Sequence, residues 1–274
     1  MVFYKSYFYI LILIASAVWI SVFSIDNNLH IVACDVGQGD AILIQKSLTQ
    51  ILIDSGSGSS VLDCLGRHMP FWDKKIELAI LTHTDKDHSG GYIDVFRAYK
   101  IENFLTSTQT NEVLRKVVKN TIFPTKDMTI RLGMIYLDIL HPEDGEFSIS
   151  NYQFSNKTND TSIVTLLKYA QFKGLFLGDL ELNISEELIE NSKIGTVDYI
   201  KISHHGSKNG TSEKLLQLLM PKIAIISVGG KNSYGHPAVE VIKILSEKDI
   251  KVLRTDQMGD VDVVTDGTKF WYNE

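Results

Sequence analysis

The sequence predicts an α/β protein of two mixed β-sheets with helices on their outer faces. Early strands follow one another closely, as in hairpins, whereas later strands alternate with amphipathic helices. The chain also repeats one pattern, in which an apolar strand ends in Asp, a helix follows, and the next strand ends at His. Asp54 and His83 carry this pattern in the first half, and Asp179 and His204 carry it in the second. We therefore expect two similar halves whose polar strand ends meet at one edge.

The individual elements are predicted from the spacing of apolar residues. Short apolar runs bounded by glycine or polar residues are typical of strands, and apolar positions three and four residues apart are typical of helices. Strands are predicted at 29–34, 41–45, 50–54, 77–82, 101–105, 134–140, 162–169, 174–177, 199–202, 222–228, 251–254, 260–264 and 269–272. Helices are predicted at 60–67, 91–99, 111–118, 184–190, 212–220 and 238–246. The polar segment 143–160 predicts a loop over one edge.

Composition limits the classes of function. The chain has 274 residues, of which 44% are hydrophobic, and this is enough for one large core or two small domains. Its net charge of −6 argues against a sequence-reading DNA-binding protein, but not against an enzyme that cleaves phosphodiesters with metal ions. Cys34 and Cys64 are interpreted as small buried apolar residues rather than as a disulfide, because two cysteines do not make a disulfide framework.

The N-terminal region is unusually apolar. Residues 6–25 contain no charge, and twenty helical residues reach about 30 Å, the thickness of a bilayer core. Residues 1–25 are therefore predicted to be a membrane anchor; a cleaved secretion signal and a buried helix are the alternatives. Lys5 before the run and Asp26 after it favour a cytoplasmic N-terminus. Residues 28–274 are then one domain outside the cytoplasm, either membrane-anchored or secreted.

The hexapeptide HTDKDH at 83–88 concentrates two imidazoles and two carboxylates directly after an apolar strand. So many polar side chains are costly to bring together at a strand end unless a cation neutralises them. His83, Asp85 and Asp87 point one way along an extended turn, whereas His88 turns back. One loop can therefore serve two neighbouring metal ions. The alternative is a solvated polar loop.

Two later strands also end in acidic or imidazole residues. A dinuclear hydrolytic site needs nitrogen and oxygen ligands for each ion and a carboxylate that bridges ions about 3.5–4 Å apart. Asp179 after an apolar strand suits the bridge, and a helix N-cap is its alternative role. Of the pair His204-His205, one is predicted to be a ligand while the other lines the site.

Several motifs occur in a characteristic order: DVGQGD at 35–40, HTDKDH at 83–88 with GG at 90–91, GD at 178–179, KISHHGS at 201–207, YGHP at 234–237, and RTD at 254–256 with Gly259. On these motifs the chain resembles the metallo-β-lactamase-fold hydrolases, specifically the soluble domain of the DNA-uptake competence protein ComEC and its stand-alone relatives. The resemblance covers about residues 29–265. It implies an αββα sandwich with metal ions at its open edge.

The resemblance also implies a set of ligands for two divalent ions. His83 and Asp85 would hold one ion, Asp87, His88 and His204 would hold the other, and Asp179 would join them. The family usually has a His where Asp85 stands. An Asp there gives the first site more oxygen ligands, which makes Mn²⁺ a competitor of Zn²⁺. A further ligand from the middle of the chain is expected at Asp160. His141, the rival for that place, is interpreted as structural.

Other motif residues are predicted to support the site. Asp54 orients a ligand His, with a turn-forming role as its alternative. Asp35 is predicted to approach the site through its backbone. His236 would bind a phosphate oxygen or protonate the leaving group, alongside Asp87 and His205 in the catalytic set. His30 and His68 are interpreted as structural. Lys201, Lys208 and Lys231 are interpreted as scattered surface charges, with attraction of an anionic substrate as the alternative.

These inferences predict metal-assisted hydrolysis by a water-derived nucleophile. The resemblance implies a phosphodiesterase or nuclease that acts on DNA outside the cytoplasm, with the membrane as its attachment and no protein partner predicted. One alternative is hydrolysis of another ester, either phosphorylcholine on a cell-wall polymer or a lactone. The other is a catalytically silent, metal-stabilised binding module.

Overall fold

The computed structural model of the protein describes residues 2–23, 26–107, 120–143 and 158–272. Within these ranges two mixed β-sheets pack face to face, with helices against both outer faces. The predicted α/β sandwich of two mixed sheets is therefore confirmed.

The first sheet has eight strands. They are β1 (Leu29–Ala33), β2 (Ile42–Lys46), β3 (Thr49–Ile53), β4 (Lys75–Leu81), β5 (Lys100–Thr106), β6 (Thr121–Ile122), β14 (Val261–Thr265) and β15 (Phe270–Tyr272). Their spatial order is β15-β14-β1-β2-β3-β4-β5-β6. β1 to β3 pair antiparallel, whereas β3, β4 and β5 pair parallel, so the carboxyl ends of the last three strands share one edge.

The second sheet has seven strands. They are β7 (Thr129–Leu132), β8 (Ile135–His141), β9 (Val164–Tyr169), β10 (Phe172–Phe176), β11 (Tyr199–Lys201), β12 (Ile223–Ile226) and β13 (Lys251–Arg254). Their spatial order is β13-β12-β11-β10-β9-β8-β7. β10 to β13 pair parallel, so their carboxyl ends also share one edge.

Helices connect these strands and cover the sheets. They are α1 (Val2–Phe23), α2 (Ser60–His68), α3 (Lys86–Ser89), α4 (Tyr92–Ala98), α5 (Leu182–Asn191), α6 (Glu213–Leu219), α7 (Val239–Glu247) and α8 (Thr255–Met258). Two 3₁₀ helices span Thr158–Thr161 and Ser203–Gly206. α2 and α4 pack on the first sheet, and α5, α6 and α7 pack on the second.

Strand β4 shows why the central strands are apolar throughout. Leu78 and Ile80 face the second sheet, whereas Ile76, Ala79 and Leu81 pack against the helices on the outer face. Because both faces of the strand are covered, the sequence shows a nearly continuous apolar run instead of alternation. The site at the end of this strand is thus carried by a rigid element.

The apolar N-terminal region forms helix α1. Within the described ranges, however, no helix has the length and apolarity that a membrane span requires. The predicted membrane anchor at residues 1–25 is therefore not supported.

Cys34 and Cys64 form a disulfide, with 5.8 Å between their Cα atoms. Our interpretation of two separate thiols was wrong. Cys34 directly follows β1, and α2 packs Cys64 against the same face of the first sheet. The pairing depends on where α2 lies on the sheet, which the spacing of 30 residues does not reveal.

The remaining differences concern peripheral elements. The short strands β6 and β7 were missed, because their residues are partly exposed and show little apolar pattern. The predicted helix at 111–118 lies outside the described residues, as does most of the predicted loop at 143–160. The end of that loop forms the 3₁₀ helix Thr158–Thr161.

Candidate metal centre

Four strand ends meet at one edge of the sandwich. Asp54 follows β3 and His83 follows β4 in the first sheet, whereas Asp179 follows β10 and a pair of histidines follows β11 in the second. Each strand pair is parallel, so its two carboxyl ends lie side by side. The facing sheets then bring both pairs together, as the repeated pattern in the sequence predicted.

His88 joins the two sheets at this edge. Its ring is fully buried, with Nδ1 2.7 Å from an Asp54 oxygen and Nε2 3.3 Å from an Asp179 oxygen. The Thr82 backbone N–H and hydroxyl both donate to the Asp54 carboxylate, at 2.8 and 2.7 Å. Asp54 therefore has the geometry predicted for it, a carboxylate that orients a histidine from behind.

His83 lies beside His88, with 4.1 Å between ring centroids. Its Nδ1 is 3.1 Å from the Thr82 hydroxyl, which leaves Nε2 directed toward the centre. Asp85 stands at the rim, with a half-exposed carboxylate 3.7 Å from His83 Nε2, and it accepts a hydrogen bond from Thr158.

The two consecutive histidines of the second sheet differ in position. His205 is buried, and its Nε2 lies 3.3 Å from an Asp87 oxygen and 3.7 Å from an Asp179 oxygen. His204 is 28% exposed, and its Nε2 lies 3.9 Å from the Asp179 carboxylate. Both residues have left-handed backbone conformations, with φ of 50° and 53°. His205 therefore lies in the buried place beside Asp87 and Asp179, whereas His204, the predicted ligand, lies at the rim.

Sequence reasoning missed Asp40. This carboxylate is buried, with Oδ1 3.3 Å from His205 Nδ1 and Oδ2 2.8 Å from the ammonium of Lys201. Our interpretation of Lys201 as a surface charge was wrong, because this side chain is also buried. A Lys inside the apolar run at 199–202 was the available signal, since a buried ammonium requires an anionic partner.

Several predicted residues lie at the margin of the site or away from it. Among the described residues, Asp85, Asp160 and His204 belong to no group of three candidate ligand atoms that all lie within 4.8 Å of one another. Asp35 is exposed, and its backbone N–H donates instead to Asp260 at 2.8 Å, so its predicted approach to the metal centre is wrong.

Two further histidines, His141 and His236, lie near the site. His141 is buried against the Ser162 carbonyl at 2.8 Å, in keeping with a structural role. His236 is part-buried at the rim, with its ring 5.7 Å from that of His204 and stacked on Tyr234. His236 thus lies beside His204 at the rim of the centre.

The carboxylates strongly favour positive charge at this edge. Burial alone would lower the pKa of His88, but the charges of Asp179 and Asp54 raise it well above its usual value. His205 is likewise buried, and Asp179 and Asp40 raise its pKa to about 9. The pKa of Asp179 lies well below its ordinary value despite burial, chiefly because of His88 and His205. Protons or metal ions can supply the positive charge that these groups demand.

The buried polar atoms fit metal ions. Among the described residues, buried side-chain atoms without a hydrogen-bond partner include Nε2 of His83, His88 and His205 and Oδ1 of Asp179. Ligand atoms lie within 4.8 Å of one another in the groups His83–His88–Asp179 and Asp87–His88–His205. Imidazole nitrogens and carboxylate oxygens are donors suited to Zn²⁺ and Mn²⁺. The residues present therefore fit divalent cations.

Known proteins resemble this chain in sequence. Residues 34–230 match the family model described as "Metallo-beta-lactamase superfamily". ComE operon protein 3 of Bacillus subtilis is 28% identical over 83% of this chain and 32% of its own length. Recombination protein 2 of Haemophilus influenzae is 31% identical over 84% of this chain and 28% of its own length. The chain thus spans about a third of the length of these relatives.

A solved structure shows the same fold. The metallo-beta-lactamase fold protein YhfI from Bacillus subtilis superposes with a TM-score of 0.57 at 13% identity. The superposition covers 90% of this chain and 100% of YhfI. At this identity, the likeness is one of fold alone.

Proposed function

The chain belongs to the metallo-beta-lactamase superfamily, and from this premise we propose that it is a metal-dependent phosphodiesterase or nuclease that acts on DNA. The observation that carries the hydrolytic part is the set of unpartnered imidazole and carboxylate atoms buried between the two sheets. The relative named Recombination protein 2, together with the resemblance to DNA-uptake competence proteins, supports DNA as the substrate class.

The protein's own residues have distinct roles in this proposal. His83 and His88 would hold one divalent ion, Asp87 and His205 would hold the other, and Asp179, whose two oxygens face His88 and His205, would serve both. Zn²⁺ or Mn²⁺ bound there would supply Lewis-acid activation of water and of a phosphoryl oxygen. Asp54 keeps His88 Nε2 pointed at the centre through its 2.7 Å contact with Nδ1.

His236 acts at the substrate side. Burial, together with the charges of His204 and His205, lowers its pKa, so the ring is neutral at pH 7. A neutral imidazole donates one N–H hydrogen bond. We therefore favour the binding of a phosphoryl oxygen over protonation of the leaving group for His236.

An exposed aromatic ring supports a nucleic-acid substrate. Tyr234 is 69% exposed, and its ring stacks on His236 with an interplanar angle of 12°. The loop is held by Asn232, whose side chain bonds the backbone N–H and C=O of His236 at 3.0 and 2.8 Å. A rigid aromatic face beside a phosphodiester site is suited to stack an unpaired base. Two exposed lysines match an anionic strand: Lys231 lies on this same loop, and Lys208 lies on the loop that follows His204 and His205.

The test compares substrates in the presence of Mn²⁺ or Zn²⁺. We expect cleavage of a single-stranded oligonucleotide and of bis-p-nitrophenyl phosphate, but not of a phosphorylcholine ester or a lactone. Tyr234→Ala should bind the oligonucleotide about tenfold more weakly, because one stacked base is worth roughly 1–3 kcal/mol. Tyr234→Phe, which keeps the ring, is the matched control.

Two outcomes would contradict this proposal. Cleavage of only the phosphorylcholine ester or the lactone would favour the alternative hydrolase. Stoichiometric metal binding without hydrolysis of any of the four substrates would favour the silent binding module.

We further propose that the domain at 28–274 works outside the cytoplasm. The disulfide between Cys34 and Cys64 supports this compartment, because disulfides persist in oxidising environments and are rare in the cytosol. Fractionation of cells, followed by alkylation of free thiols, tests it. Recovery of the protein in the cytosolic fraction with both thiols alkylated would contradict it, and recovery with the membranes would support attachment through residues 1–25.

A further inference from the structure

A buried ion pair lies behind the candidate metal centre. Asp40 and Lys201 are both buried, with 2.8 Å between Oδ2 and Nζ, and Lys201 also donates to the Ile202 carbonyl at 3.0 Å. Burying two charges costs about as much as their attraction returns, and apolar replacement of such pairs is often neutral or stabilising. Stability alone therefore does not account for this pair.

The pair connects the two sheets at the site edge. Asp40 precedes β2 in the first sheet, and Lys201 ends β11 in the second. The backbone of Asp40 is fixed to the first sheet's ligand loop, since its N–H donates to the Asp87 carbonyl at 3.1 Å. A Cβ on Gly39 would lie 2.2 Å from that same carbonyl, so only glycine allows this approach. Through Asp40, the Lys201 side chain of the second sheet is thus held at a fixed position relative to the Asp87 loop of the first sheet.

Asp40 also faces the histidine nearest to Asp87. His205 Nδ1 lies 3.0 Å from the Ser227 carbonyl and 3.3 Å from Asp40 Oδ1. Both neighbours are acceptors, so the hydrogen of the neutral ring resides on Nδ1 and the lone pair on Nε2. Because Lys201 occupies the other oxygen of Asp40, Oδ1 stays directed at His205.

We propose that Asp40 and Lys201 are positioning residues that hold His205 with its Nε2 lone pair directed at the metal centre. This inference rests on the part of the proposed function that requires a divalent ion. It does not depend on the substrate, because both side chains are buried behind His205. Partners that hold a metal-ligating histidine from behind typically contribute 10- to 100-fold to metal affinity.

The test measures Zn²⁺ affinity by competition with a chelating dye, without any substrate. Asp40→Asn and Lys201→Met should each weaken the Zn²⁺ site that contains His205 by about 10- to 100-fold. The double variant Asp40→Asn/Lys201→Met buries no uncompensated charge, so it keeps the test valid if either single variant fails to fold. Leu29→Ala, a buried core change at the end of β1 that lies opposite to Asp40, is the control for general destabilisation and should leave the affinity unchanged.

A second measurement separates positioning from a merely structural role. In a His205→Ala background, Asp40→Asn should cause no further loss of affinity, since it acts through His205. An equal loss in both backgrounds, or wild-type affinity in Asp40→Asn, would overturn the inference. Wild-type protein that binds Zn²⁺ but cleaves no phosphodiester would refute the proposed function and leave the positioning role intact.

Discussion

Two clusters of carboxylate and imidazole groups, one around Asp260 and one at the sheet edge, balance their charges in different ways. In the cluster around Asp260, every close neighbour is a donor: the Asp35 N–H lies at 2.8 Å, Arg67 at 2.7 and 2.9 Å, and His68 at 2.9 Å. Against the opposing effect of burial, these hydrogen bonds lower the pKa of Asp260 to about 2. This cluster is neutralised by the protein itself.

The cluster at the sheet edge is balanced differently. Its buried nitrogen and oxygen atoms face one another without a matching donor. His88 Nε2 and Asp179 Oδ1 lie 3.3 Å apart, and neither has a hydrogen-bond partner among the described residues. Among the described residues, Asp179 pairs only with histidines, and the nearby Lys201 pairs with Asp40. Positive charge must come from protons on the rings or from bound cations.

The comparison teaches that composition does not identify a metal site. Cys64, His68 and Asp260 also bring three candidate ligand atoms within 4.8 Å. Cys64 is held in a disulfide, however, and His68 and Asp260 satisfy each other. The balance of donors and acceptors therefore distinguishes the two clusters, whereas the residue types do not.

The largest expected effect is a difference between two substitutions, one at Asp179 in the sheet-edge cluster and one at Asp260 in the other cluster. Asp179→Asn should lower Zn²⁺ affinity by more than the roughly 100-fold that loss of an outer partner can cost, and it should abolish hydrolysis. Asp260→Asn should change neither. Dye competition and phosphodiester assays on both variants check this, and equal metal affinity in the two would erase the distinction between the clusters.

The next effect concerns stability on the Asp260 side of the molecule. Cys64→Ser removes a cross-link between residues 30 apart, which should lower the free energy of unfolding by about 2–4 kcal/mol. Denaturant unfolding measures this loss. Zn²⁺ stoichiometry should stay at the wild-type value, because neither cysteine belongs to the groups of candidate ligands at the sheet edge. A stable variant that has lost its metal would mean that the two regions are coupled.

Some residues of the site could be predicted from the sequence, and others depend on details of the fold. The motif at 83–88 and Asp179 could be predicted, because apolar strands deliver them to one edge whatever the details of packing. His204 and His205 could not be ranked, since two consecutive left-handed residues decide which ring turns inward. Asp35 and Asp40 flank the same glycine turn, so only the fold shows that Asp40 faces the site.

The smallest expected effect is a pH dependence of the Asp260 cluster. The pKa of Asp260 is about 2 in the folded protein against an ordinary value of 3.8, so its ionisation stabilises the fold above pH 3.8. That stabilisation should be lost as the pH falls from 3.8 through about 2. Unfolding curves across this range should show a shallower acid-side decline in Asp260→Asn. Identical slopes in variant and wild type would show that Asp260 is not stabilised as its contacts imply.

Anomalous X-ray diffraction from crystals grown with Zn²⁺ tests the central claim most directly, because it locates ions without reference to activity. We expect density peaks roughly 2.0–2.2 Å from Nε2 of His83, His88 and His205 and from the Asp179 carboxylate. An anomalous map without peaks at this edge, or with its strongest peak between His68 and Asp260, would contradict the account.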